Sequence, residues 1–150
     1  MKLAEALKER ADIQTRIGQL RSRLCLNARV QEGEKPSEDP EELLRELDAL
    51  VSRLEELITR INLTNAETLV EGVSLTALIA KRDCLQKKTD ILRGFISEAS
   101  SLVNRATRSE IRIKSTVNVA EKRRELDSLA QELRQTDSRI QQLNWLTELK

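Results

Sequence analysis

Leucine and isoleucine return every three or four residues in four separate stretches of this 150-residue chain, and that spacing leaves it little to fold into except helices. An α-helix turns once in about 3.6 residues, so side chains three and four apart share a face, and an apolar face must be hidden from water. The first stretch, Lys2 to about Val30, holds Leu3, Leu7, Ile13, Ile17, Leu20 and Leu24 among Lys, Arg, Glu and Gln. The second runs Leu43, Leu47, Leu50, Leu54, Leu57, Ile61. The third reaches about Ala106 through Leu78, Leu85, Leu92, Ile96, Ala99 and Val103, and the fourth holds Leu126, Leu129, Leu133, Ile140 and Leu143.

The segments between the stripes read as their ends. Gln31 to Asp39 loses the period and carries Gly33 and Pro36, the mark of an acidic surface loop. Asp39 then stands as an N-cap before Pro40, with Glu42 at the capping-box position. Asn62-Leu63-Thr64-Asn65 dilutes the second stripe, so a short connection is expected there. Glu71-Gly72 forms a turn between Thr68-Leu69-Val70 and Val73-Ser74, and Ser74 caps the third helix. Ser109 to Lys114 alternates polar and apolar, which favours a short strand or extended arm; Asn118, with Glu121, caps the last helix.

Helices of about 25 to 31 residues would be roughly 37 to 47 Å long. Short connections make neighbours antiparallel. The expected fold is therefore all-α: four long helices in an up-down-up-down antiparallel bundle, one domain over residues 1–150, with a short β arm or hairpin near 68–74 and 109–114. The stripes are narrow, so apolar surface is left for a second copy. A strand around Ile111 and Ile113 needs an edge, and the strand-like piece at Thr68–Ser74 lies at the far end of the third helix. An antiparallel dimer would bring the two together.

Composition narrows the function. With 34% charged residues but a net charge of +1, no global field draws the chain to nucleic acid or an anionic membrane. The chain has no histidine, which removes Glu-x-x-His metal sites and the Ser-His and Cys-His nucleophile pairs. Asp83, Asp90 and Asp137 stand near Arg or Lys in helical segments and read as surface ion pairs. No catalytic residue, metal or cofactor is expected. Cys25 and Cys84 sit beside leucines, which predicts buried free thiols and a reducing cytoplasm. The charged first turns argue against export, and no apolar run approaches the roughly 20 residues of a membrane span.

Two candidate sites remain. Lys81 to Lys114 carries nine basic and four acidic residues. Its end concentrates Arg105, Arg108, Arg112 and Lys114, which could grip nucleic acid or a phospholigand through bidentate guanidinium contacts. The plainer reading has these residues neutralise the acidic stretch Glu32–Glu71, within the subunit or across a dimer, since aromatic stacking platforms are missing. The second candidate is a polar pocket at one end of the bundle, where Asn62, Asn65 and Asn144 meet Trp145 beside the chain's first turn. Its plainer reading makes Trp145 a hydrophobic plug and the asparagines helix-end caps.

Several strings carry a family resemblance: Lys2-Leu3-Ala4-Glu5-Ala6-Leu7, Val30-Gln31-Glu32-Gly33-Glu34-Lys35-Pro36, Arg82-Asp83, Arg108-Ser109-Glu110-Ile111 and Leu143-Asn144-Trp145. Together they span nearly the whole chain. It resembles an uncharacterised bacterial family of small helical proteins, some of whose members carry the label septicolysin. The family supplies no activity or site residue to carry over. The label implies a membrane-lytic toxin, but a pore former needs a secretion route and a segment that satisfies its backbone while facing lipid, and neither is visible. The leading expectation is a non-enzymatic, cytoplasmic helical-bundle protein that self-associates as a dimer or higher homo-oligomer and acts through protein contacts. Nucleic-acid or phospholigand binding through residues 105–114 is the alternative.

Overall fold

A computed structural model describes residues 1–102 and 111–150. The chain is all-α, with α1 Leu3–Leu26, α2 Pro40–Glu67, α3 Leu75–Ser100 and α4 Val119–Leu146; one two-stranded hairpin, β1 Leu69–Val70 and β2 Val73–Ser74, joins α2 to α3. It divides into two compact units. One holds Met1–Leu75 with Gln142–Lys150, the other Thr76–Gln141.

In the first unit α1 and α2 pack antiparallel on a heptad seam. Ala6, Ile13, Leu20 and Asn27 of α1 and its C-cap repeat every seventh residue and are buried, as are Leu43, Leu50, Leu57 and Thr64 of α2. A seven-residue repeat holds one seam toward a partner, the geometry of coiled-coil packing. Ion pairs flank it at seven-residue steps along α1: Glu9 with Arg53 at 2.7 Å, Arg16 with Glu46 at 3.1 Å, and Arg23 with Glu38 of the loop before α2. As the α1 number rises the α2 number falls, as antiparallel strands of a seam require.

The helix ends are closed by specific groups. The Lys2 amide donates to the Glu5 carboxylate at 2.7 Å. Asp39 caps α2 by accepting from the amide of Glu41 at 2.9 Å; the cap therefore closes one residue earlier than the expected partner, Glu42. Asn118 Oδ1 accepts from the Glu121 amide at 3.1 Å and caps α4 as expected. The loop after α1 is pinned by Asn27, whose Nδ2 donates to the Arg23 carbonyl at 2.9 Å and whose Oδ1 accepts from the Glu38 amide at 3.0 Å.

Two expectations need correction. α2 continues through Asn62–Asn65 to Glu67, because Thr64 is wholly buried and keeps the seam in phase, so Asn62 and Asn65 are not helix-end caps. The hairpin expected near 68–74 does form: Leu69 pairs with Ser74 and Val70 with Val73 across the two-residue turn Glu71-Gly72. Its φ values of 53° and 80° are the paired positive angles of a type I′ turn, whose twist suits adjoining antiparallel strands. At the arm, Ile111–Lys114 forms no strand, and Ser109 and Glu110 lie outside the described residues.

In the second unit α3 and α4 are tied by Lys81–Glu132 at 2.8 Å and Arg82–Asp137 at 3.6 Å. Thr89, Ile96, Thr136 and Ile140 are buried, whereas Leu85, Leu92, Leu126, Leu129 and Leu133 are only half-buried. α3 ends at Ser100, short of the expected Ala106, Val103 lies outside the described residues, and the remaining α3 and α4 stripes close over incompletely.

Candidate functional site

The first unit gathers both chain ends. Residues 1–3 and 147–149 run antiparallel, with the Leu3 amide donating to the Thr147 carbonyl and the Leu149 amide to the Met1 carbonyl, both at 2.9 Å. Glu148 takes Lys2 Nζ at 2.6 Å and the terminal ammonium at 3.2 Å. These two cations hold the Glu148 carboxyl below the ordinary carboxylate range, Lys2 more than the terminus. Beyond it, the Lys150 amide donates to Thr64 Oγ1 at 3.0 Å, Arg60 Nε donates to the Lys150 carbonyl at 2.6 Å, and Lys150 pairs with Glu67. Leu3, Ala6, Leu57, Ile61 and Leu149 are buried in this unit. The first turn and the last residues do share one end with α2, but the closure is a structural clasp.

The residues of the predicted end pocket sit around that clasp without the plug imagined for them. Trp145 is 64% exposed, Asn62 is exposed, and Asn65 and Asn144 are half-buried. Leu143 and Leu149, not Trp145, are the buried apolar residues of this segment. Asn65 Oδ1 is buried without a hydrogen-bond partner among the described residues. Of the basic arm, Arg112 and Lys114 are exposed, and Arg105 and Arg108 lie outside the described residues.

The cysteines also depart from expectation. Both are free, but both are exposed. A leucine neighbour in sequence is about 100° away around a helix, so adjacency to Leu24 or Leu85 carries no burial with it. The carboxylates follow expectation: Asp83 pairs with Arg82 at 2.8 Å, Asp90 with Arg93 at 3.3 Å, and Asp137 with Arg82. Among the described residues no three His, Cys, Asp or Glu side chains gather as a metal site would need. Likewise, no helix among them is long and apolar enough to cross a membrane.

Two surfaces that the sequence reading missed stand out instead. On α2, beside the buried seam, Leu44, Val51 and Ile58 recur every seventh residue and are 40%, 46% and 37% exposed. Glu41, Asp48 and Glu55 precede each by three, so acid and apolar groups alternate along one open face. Those carboxylates make no ion pair among the described residues; Glu9, Glu38, Glu46, Glu56 and Glu67 take up the neighbouring arginines and Lys150. On α3, Cys84, Lys87, Lys88, Ile91, Leu92 and Phe95, with Glu125 of α4, line an open groove of about 530 Å³. Ile91 is 74% exposed there. The signal was present as a second heptad set, one residue after Leu43, Leu50 and Leu57, but a single-stripe reading absorbs it into the core.

Comparison with known proteins follows the same lines. The model of a family of unknown function, DUF6847, matches residues 10–149. No curated protein matches. Among solved structures, the crystal structure of a functionally unknown conserved protein from Corynebacterium diphtheriae is 42% identical, with a TM-score of 0.94, over 100% of this chain and 99% of that one.

Proposed function

This chain belongs to the DUF6847 family of unknown function, and we propose that it is a non-enzymatic, cytoplasmic helical protein acting through self-association and protein contacts. One observation carries the reading: the open face of α2, where Leu44, Val51 and Ile58 stand at heptad spacing. Single exposed apolar residues are ordinary on a protein surface, but a row of them at coiled-coil spacing is the pattern a second helix covers. Alternating Glu41, Asp48 and Glu55 keep the free chain hydrated and give a partner a charge to match. The lack of histidine in the chain, and of a gathered ligand set among the described residues, supports the non-enzymatic reading.

Light scattering of the purified chain over a range of concentrations tests the reading. A mass at a multiple of 17.1 kDa supports it. A mass of one chain at every concentration retires self-association.

A further inference from the structure

Building on that reading, we propose that the open face of α2 is covered by the α3 groove of a second copy. The two surfaces match in spacing. Along α2 the row Glu41, Leu44, Asp48, Val51, Glu55, Ile58 steps by three and four residues; along α3, Cys84, Lys88, Ile91 and Phe95 step by four, three and four. At 1.5 Å per residue the α3 row is roughly 17 Å long and fits within the roughly 26 Å of the α2 row.

Charge selects the pairing. α2 carries seven acidic residues against three basic, and α3 five basic against three acidic. The acids on the α2 face, Glu41, Asp48 and Glu55, are in no ion pair among the described residues, and on α3 Lys87 and Lys88, the lysines beside the groove, are likewise in none. Lys88 acts on Glu125 only across space, drawing that carboxyl down after the larger effect of Lys122. Two α2 faces laid together would oppose acid to acid, and two α3 grooves lysine to lysine, so like-with-like association is disfavoured and α2 with α3 is favoured. On α3 Thr89 and Ile96 are buried, whereas Ile91 and Phe95 are exposed and open to a partner.

Charge exchange tests this pairing against every other. Two full-length variants are made, D48K/E55K and K87E/K88E, all four positions being exposed so that circular dichroism should show unchanged helix content. The wild type is expected as a dimer. Each variant alone should dissociate about tenfold or more more readily, since each then opposes like charges where α2 meets α3. An equimolar mixture should recover dimers, because the α2 face of either variant then meets an α3 groove of opposite charge on the other. A variant that dimerises as well as the wild type, or a mixture that stays monomeric, removes α3 as the occupant and leaves self-association standing. A monomeric wild type removes both.

Discussion

Glu71 holds the least comfortable backbone among the described residues. It adopts φ 53°, the left-handed region where a Cβ crowds the carbonyl, because the hairpin leaves two residues to turn the chain and both must take positive φ. Gly72, at φ 80°, meets that demand freely. Asparagine tolerates the left-handed region better than glutamate, so Glu71→Asn is expected to raise stability by about 0.5 to 1 kcal/mol in urea unfolding. A loss of stability would mean that Glu71 makes a contact worth more than its strain. The turn was legible in the Glu-Gly pair. The clasp at the chain ends was not, because Thr64 and Lys150 are 86 residues apart and a seryl or threonyl hydroxyl announces no distant partner. The cysteines misled for a related reason: neighbours along a helix face different ways.

Helices α1 and α2 were legible at their starts and along their seam, because heptad leucines, a loop with Gly33 and Pro36 and the Asp39-Pro40 cap all agree, but not at their ends: α1 stops at Leu26 rather than near Val30, and α2 runs on to Glu67. What escaped was the second row on α2, since periodicity tells which residues share a side and says nothing of what covers it. The antiparallel pair is also laced by carboxylates that titrate low. A hydrogen bond from Arg53 holds Glu9 and Glu56 below the ordinary value of 4.5, and one from Arg23 does the same for Glu38. A carboxyl whose folded-state pKa is depressed contributes stability that is complete above its unfolded value and lost as pH falls through the folded one. Nothing in the chain has an ordinary imidazole titration, as there is no histidine. The thermal midpoint should therefore stay flat between pH 7 and 5 and fall by a few degrees between about pH 4.5 and 3. Arg53→Ala should flatten that acid limb. A midpoint that already drops from pH 7 to 5.5 would contradict this account, because none of these carboxylates gains protons there.

At the scale of the whole molecule, each unit keeps apolar surface that a self-contained domain would have hidden. The α1–α2 unit has a well-filled seam and a second, open row; the α3–α4 unit has half-buried leucines and an open groove. The surfaces that speak for association required coordinates, because only a structure separates a leucine facing its own partner from one facing water. The central claim is that the open row on α2 is an interface. Sedimentation equilibrium of the wild type beside a V51D/I58D variant tests it most directly. The account predicts an assembled wild type and a variant at the 17.1 kDa of one chain, with equal helix content. A variant that sediments with the mass of the wild type would contradict it.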